Sequence, residues 1–355
     1  MTATLRVGPG AAAALASAVL FGASTPFAKL LLGAVDPWLL AGLFYFGAGL
    51  GLALLRVVQA SLGVAPVEAP LRRPDLPWLA GAVLAGGVIG PVLLMTGLTR
   101  TEASSASLLL NLEGLATMAI AWIVIRESLD RRILLGACAI LAGAAVLSWQ
   151  GDMAGAGWGA LSIAGACLAW GIDNNLTRKL SSADPAQIAM LKGIVAGTVN
   201  LALALAQGAT LPPPGLALGA GLIGFLGYGL SLVLFVRALR HLGTARAAAY
   251  FSTAPFIGAA LAVALFGEPI TTPLLIAAGL MAVGVTLHLA ERHEHEHAHK
   301  TIVHEHAHVH DEHHRHAHAQ GDPPGEPHAH VHQHAAQVHR HPHFPDLHHR
   351  HGHAE

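Results

Sequence analysis

Glu113, Asp173 and Lys192 stand inside runs of apolar residues, in LLLNLEGLATM, LAWGIDNNL and IAMLKGIVA respectively. A charge at the centre of a bilayer costs about 2.5–3.5 kcal/mol on insertion scales, so an ionisable group there needs a partner or a task. At the helical rise, Glu113 lies about 15 Å into its run, Lys192 about 10 Å into another and Asp173 about 6 Å from the end of a third. This spacing predicts a ladder with Glu113 at the midplane and Lys192 within side-chain reach. Glu113 is then a proton-coupling or substrate-binding carboxylate, or else half of a Glu113–Lys192 pair that locks two helices. Asn174 is a candidate ligand; it and Asn175 also suit backbone and helix contacts. Asn111, two positions from Glu113, points elsewhere on a helix.

Two hydroxyl clusters add to the list. Ser24, Thr25 and Pro26 form one, and Tyr250, Ser252, Thr253 and Pro255 the other. Proline removes a backbone donor and frees a carbonyl, and irregular backbone inside a bilayer is tolerated where it lines a cavity. Thr25, Tyr250 and Ser252 are therefore candidate substrate contacts, with packing kinks as the alternative.

The other chemistry lies at the far end. Of 25 His, 23 follow residue 290, in runs such as HEHEHAHK and HAHVHQH. His293, His295, His297, His299, His304, His306, His308 and His310 recur at every second position over most of this stretch. Neutral imidazoles at this density chelate borderline divalent ions, Zn, Ni, Co or Cu. With a pKa near about 6.5 they also make the tail a pH-dependent polycation in which protons compete with metal. Too few apolar residues are present for a core, so residues 291–355 read as a disordered tail.

These groups must be positioned by membrane spans. The 355 residues are 53% hydrophobic and 12% charged, about half the charge of a soluble chain. Residues 1–290 hold 15 Lys and Arg against 11 Asp and Glu, the rest 5 against 10, so the overall net of −1 averages two unlike parts. The cationic residues sit singly between apolar runs, which argues against nucleic-acid binding. Cys138 and Cys167 lie inside apolar runs and offer neither a disulfide framework nor a zinc ribbon. No nucleophile with its base stands at suitable depth for an intramembrane enzyme.

Ten runs have the length of a spanning helix: 11–32, 36–59, 77–98, 103–125, 131–149, 155–177, 185–207, 215–238, 243–266 and 271–290. The first begins like a signal peptide but continues through Leu32, which reads as a retained span. With the N-terminus inside, 12 loop Lys and Arg fall on the cytoplasmic side and 2 outside, so both termini, and the His-rich tail, are expected in the cytosol of a plasma or inner membrane. Small residues such as GAGLG at 47–51 let helices approach. Expected partners are the bilayer, a small-molecule substrate and, admissibly, a second copy of the chain in a homodimer.

The halves repeat. RESLDRRILLGACAILAGAAVL (126–147) lies against GEPITTPLLIAAGLMAVGVTL (267–287), placing Glu127 over Glu268 and Gly143 over Gly284. Upstream, Gly22 matches Gly171, Lys29 matches Arg178, and the pairs Asp36-Pro37 and Asp184-Pro185 correspond. Five spans per half, an odd number, insert the halves in opposite senses, with a site near the midplane at their interface. The expected architecture is all-helical: ten transmembrane helices in two inverted five-helix repeats, 1–149 and 150–290, followed by the tail.

On these residues, across 11–290, the chain resembles the EamA-like branch of the drug/metabolite transporter superfamily. The twice-occurring apolar helix, Glu, short polar turn and Gly/Ala-rich helix at Glu127 and Glu268 carries the resemblance. It implies a ten-helix secondary transporter exporting metabolites, amino acids or toxic compounds. That family usually has Pro in the middle of its fourth and ninth helices; Pro255 fits the ninth, whereas the fourth carries Gly114 preceded by Glu113. The expected function is export of a small metabolite or toxic organic compound by alternating access, with the tail as a metal buffer or regulator and no cofactor required. The alternative is a divalent-metal exporter loaded by the tail, for which oxygen ligands alone would furnish a Zn or Ni site poorly.

Overall fold

The apolar runs become helices wherever a cap can start them and glycine or proline punctuation can stop them. The computed structural model describes residues 9–64, 68–125, 131–148, 156–180, 183–238 and 250–289, and in the tail 294–299, 302–308, 328–334 and 337–342. Chain order gives α1 (Pro9–Leu31), α2 (Pro37–Ser61) and α3 (Leu76–Ala82), which runs through a π-helical segment, Val83–Ile89, into α4 (Gly90–Leu98). Then come α5 (Ala103–Leu109), α6 (Leu112–Ile120) with a π-helical extension Ala121–Ile125, α7 (Arg131–Ser148), α8 (Ala156–Thr177) and α9 (Pro185–Ala206). The last group is α10 (Pro214–Gly224), continuing through the π-helical Phe225–Leu230 into α11 (231–238), then α12 (Ala254–Phe266) and α13 (Thr272–Leu289). Six described helices are long and apolar enough to cross a membrane, and three shorter apolar ones accompany them. Leu54, Val57, Ile123, Leu135, Leu218 and Leu275 are among many large apolar side chains on the outside, the face that lipid covers.

Both Asp-Pro pairs are helix starts. Asp36 accepts from the N–H groups of Trp38 (2.9 Å) and Leu39 (3.1 Å) ahead of α2, and Asp184 from those of Ala186 (2.8 Å) and Gln187 (3.2 Å) ahead of α9. A carboxylate cap followed by proline satisfies orphan donors with a residue that has no N–H to lose.

Packing is set by glycine. A Cβ on Gly193 of α9 would lie 2.5 Å from the Gly49 nitrogen of α2, and one on Gly49 would lie 2.4 Å from the Ile194 nitrogen, so these backbones touch. GAGLG serves this internal contact, with Gly47 against Gly221 of α10. The glycines matched between the halves occupy matched contacts. Gly143 of α7 meets Ala277 and Met281 of α13, and Gly284 of α13 meets Gly136 and Ile140 of α7. Gly22 of α1 meets Ala254 of α12, and Gly171 of α8 meets Ala116 of α6. The main core, with Leu40, Phe44, Leu94, Leu109 and Ile163, lies where α2, α4, α5 and α8 converge.

The His-rich tail is described in four short segments. Its described residues form β1 (Glu294–His299), β2 (Ile302–His308), β3 (His328–His334) and β4 (Gln337–Pro342), with β1 antiparallel to β4 and β2 antiparallel to β3.

Candidate functional site

The π-helical segment between α3 and α4 shifts the backbone hydrogen-bond register, and side chains use the carbonyls it presents. The Gly86 carbonyl accepts from Tyr45 Oη of α2 (2.7 Å) and from Trp170 Nε1 of α8 (2.9 Å), and the Gly87 carbonyl accepts from Asn200 Nδ2 of α9 (3.0 Å). Three helices are thereby tied to one irregular turn, a feature frequent at functional sites. A Cβ at Gly86 would fall 2.0 Å from Asp173 Oδ2, so only glycine lets that carboxylate lie against the turn.

Asp173, buried on α8, accepts from Thr177 Oγ1 (3.0 Å) and forms an ion pair with Lys192 of α9. Glu113 occupies the first turn of α6, just after the chain breaks between α5 and α6 at Leu110 and Asn111. A helix N-terminus is a favourable place for a carboxylate. Glu113 Oε1 accepts from Asn174 Nδ2 of α8 (3.0 Å), which also donates to Thr117 Oγ1 (3.1 Å). The expected Glu113–Lys192 pair is therefore not formed. Lys192 takes Asp173, which Gly86 and Thr177 hold in its path, and among the described residues Glu113 meets an amide instead of a cation. The three ionisable groups remain within electrostatic range of one another. With Asp173 and Lys192 compensating each other, Glu113 is the ionisable group of the three that has no opposite charge paired to it among the described residues.

Aromatic rings adjoin this centre. Tyr228, in the π-helical segment after α10, lies with its ring centroid 5.4 Å from that of Tyr45 and 5.9 Å from those of Phe21 and Phe44. Phe21 continues to Phe251 (5.3 Å) and Phe251 to Phe235 (4.8 Å). Ser24 of α1 lies against Gly227, beside Tyr228, and its hydroxyl donates to the Phe21 carbonyl (2.6 Å).

The remaining sequence candidates are distributed as follows. Asn174 reaches Glu113, whereas Asn175 is spent on the Thr117 (2.9 Å) and Gly171 (2.8 Å) carbonyls. Asn111 turns to the Leu108 carbonyl (2.8 Å) and Met281. Thr25 is buried within α1, as is its neighbour Ser24. Tyr250 and Ser252 flank Phe251 in the turn before α12, where the Tyr250 carbonyl accepts from Thr253 Oγ1 (2.6 Å). Of the tail candidates, His293 and His310 lie outside the described residues, and His295, His297, His299, His304, His306 and His308 lie in β1 and β2. Sequence reasoning missed Tyr45, Tyr228, Trp170 and Gly86. A signal existed: the chain has 3 Tyr, two of them mid-run, and a buried phenol or indole usually needs a hydrogen-bond partner. Among the described residues no three His, Cys, Asp or Glu gather in a metal-holding group.

The EamA-like transporter family matches residues 8–149 and again 157–290. A protein of Methanothermobacter thermautotrophicus named an uncharacterized transporter is 30% identical over 286 residues, covering 76% of this chain and 83% of its own. A protein of Streptantibioticus cattleyicolor named a probable terminal-alkyne amino-acid exporter is 26% identical over 259 residues, covering 71% and 87%. One solved crystal structure superposes with a TM-score of 0.58 at 20% identity, over 78% of this chain and 95% of that one, a likeness of fold.

Proposed function

The chain belongs to the EamA-like transporter family, a multi-pass membrane transporter, and on that premise we propose that it exports a small organic molecule bearing an ammonium group, an amine or an amino acid. Glu113 is the residue that meets this ammonium or a counter-transported proton. The carrying observation is the charge balance at the centre: Asp173 and Lys192 pair with each other, while Glu113 meets only the Asn174 amide. A cation or a proton completes that balance; an anion would oppose it. The neighbouring rings of Tyr228, Tyr45 and Phe21 suit the apolar part of such a molecule and the face of its ammonium. The amino-acid exporter among its relatives points the same way.

Transport is secondary and proceeds by alternating access between two inverted five-helix repeats, 1–149 and 150–290, in ten spans, with both termini in the cytosol. Support for this comes from the double family match and from the paired contacts of Gly22 with Ala254 and of Gly171 with Ala116. The π-helical segments Val83–Ile89 and Phe225–Leu230 fall at corresponding places in the halves. Halves with equivalent contacts give two packings of similar energy, which is what exchange between two openings needs. The His-rich tail binds a divalent ion as an accessory to the transporter.

Purified protein in liposomes, offered separate panels of labelled amines, amino acids, monocarboxylates and zinc, tests this reading. Exchange of an amine or amino acid is expected, abolished by Glu113→Gln, whose amide oxygen still accepts from Asn174. Movement of monocarboxylates alone would overturn it, as would a Glu113→Gln variant that transports with unchanged pH dependence. Zinc exchange lost in the same variant would make metal the cargo.

A further inference from the structure

On either side of the break at Leu110 and Asn111 the two helices differ in burial. All seven residues of α5, Ala103–Leu109, are buried, whereas none of α6, Leu112–Ile120, is. Asn174, an exposed amide, donates to Glu113 on the α6 side of the break. An ionisable group and its partner at membrane depth face the bundle interior or a water-filled cavity, so the α6 side is the open one and the α5 side is closed.

Two charged side chains from distant parts of the chain close over α5. Glu268 follows α12, just past Gly267, whose left-handed conformation (φ 64°) turns the chain. Its Oε1 accepts from the Ala103 N–H (2.9 Å) and its Oε2 from the Ser104 N–H (2.9 Å). These donors open a helix and have no partner within it, and the side chain of Glu102, in the capping position, makes no cap hydrogen bond. A carboxylate of the second half therefore caps a helix of the first. Lys29, near the end of α1, donates to the Thr101 carbonyl (2.8 Å) and to the Leu98 carbonyl, which ties α1 to the turn between α4 and α5. It stands within electrostatic range of Glu268 and Glu102. One turn further along α5, a Cβ on Gly258 of α12 would lie 2.8 Å from Ser107 Oγ and 2.7 Å from the Gly22 carbonyl oxygen of α1. The ends of α1, α4 and α12 and the start of α5 thus meet at one end of the bundle, which is the outer end when the N-terminus is in the cytosol.

Resting on the alternating-access reading and its orientation, we propose that Glu268 and Lys29 form the seal that holds the outer end of the transporter shut, and that the cycle opens this end by withdrawing the Glu268 carboxylate from the start of α5. A cap within its own helix, such as Asp36 on α2, stabilises every arrangement of the halves equally. One lent by the other half stabilises only the arrangement in which the two are together, and so shifts the balance between openings. Even one hydrogen bond to a charged group biases such a balance by about tenfold or more.

The experiment uses the full chain in right-side-out membrane vesicles, with Ser107→Cys as reporter in a Cys138→Ala, Cys167→Ala background and a membrane-impermeant maleimide added on one side at a time. Ser107 is 1% exposed, so the native seal should give slow labelling from outside. Glu268→Ala should speed it by about tenfold or more, and Lys29→Met should speed it as well. Glu268→Gln, whose one amide oxygen can keep one of the two bonds, should fall between native and Glu268→Ala. Asp36→Ala is the control: it removes the cap of α2 at the same end of the bundle without unlinking the halves, and should label at the native rate although it lowers the melting temperature. If Glu268→Ala and Lys29→Met both label at the native rate from either side, or if Asp36→Ala labels as fast as Glu268→Ala, Glu268 is a structural cap and the seal is refuted, with the transport reading untouched. Labelling that rises only from the cytosolic side refutes the outer seal together with the orientation on which it rests.

Discussion

Replacing Lys192 by Met tests the central ion pair. The Asp173 side chain is 5% exposed and that of Lys192 17%, so the variant leaves a carboxylate fixed against Gly86 with the Thr177 hydroxyl as its remaining described partner. Removing one member of a buried pair costs about 3–5 kcal/mol. The partial exposure of Lys192 puts the expected loss at the lower end, about 3 kcal/mol, or about two orders of magnitude in the folding constant. Asp173→Asn, which strands the ammonium instead, should cost about 2–3 kcal/mol, because the longer Lys192 stem can carry its charge towards water. Combining the two substitutions removes both charges, and buried pairs replaced by neutral groups are often close to neutral in stability. The double variant should therefore lose no more than about 2 kcal/mol, a coupling of about 3 kcal/mol. Reversible unfolding in mixed micelles, run on all four proteins, measures it. Single costs that simply add, with a coupling below about 0.5 kcal/mol, would refute the argument that Lys192 serves Asp173. Transport by the double variant then separates two roles: a double variant of near-native stability that still exports identifies the pair as a lock, and one that is stable but inert identifies it as part of the translocation site.

Asp184→Ala should cost more than Asp36→Ala in thermal unfolding. Both lose an N-cap worth about 1 kcal/mol, but only Asp184 also holds Arg56. Gly193→Val places a side chain where backbone atoms of α2 stand 2.5–2.7 Å away, so unfolding should begin at clearly lower temperature, whereas the same change at Gly219, which has open space, should leave the melting temperature near native. Tyr228→Phe keeps the ring packed on Phe21, Phe44 and Tyr45 and removes only the hydroxyl; in liposomes it should keep the maximal rate, while Tyr228→Ala should impair both rate and substrate affinity.

What the sequence discloses and what it hides divide along a physical line. Depth along a helix axis is countable, because each residue adds a fixed rise, and the mid-run positions of Glu113, Lys192 and Asp173 follow from it. Helix starts are legible too, since Asp36-Pro37 and Asp184-Pro185 carry their own cap chemistry. Rotation about the axis and the choice among neighbouring helices are not countable. They depend on which backbones come into contact, and hence on Gly49, Gly193 and Gly86, whose missing Cβ atoms decide what can approach. This is why Lys192 goes to Asp173 although Glu113 lay within the same reach, and why four of the aromatic residues that converge on Tyr228 and Phe251 are spread over α1, α2 and α11. The π-helical segments are equally silent in composition.

The two halves put one difference where symmetry would otherwise demand sameness. The break between α5 and α6 at Leu110 and Asn111 corresponds to the turn at Ser252 and Thr253 before α12. Each is followed by a helix whose first turn faces a helix of the other half: α6 meets α8 at Gly171, and α12 meets α1 at Gly22. Counted from the helix starts, Leu112 and Ala254, the second position is Glu113 in α6 and Pro255 in α12, one residue off the repeat alignment, which sets Gly114 against Pro255. Equivalent backbones can exchange between two openings at little energetic difference, but equivalent side chains would give a transporter nothing to bind differently in the two. On the function proposed above, a single carboxylate at one of two otherwise matched helix starts would supply that asymmetry. The symmetrising substitution Glu113→Pro removes the carboxylate together with the Glu113 N–H bond to the Leu110 carbonyl (3.0 Å), so coupling should be lost and stability must be measured beside it. Its natural comparison is Pro255→Glu. If moving the carboxylate to the other half, with Glu113→Pro and Pro255→Glu combined, restores exchange lost in the single variant, the charge and not the local backbone is what the cycle uses; failure to restore it, in a protein of native stability, would tie the function to Glu113 and its Asn174 partner alone.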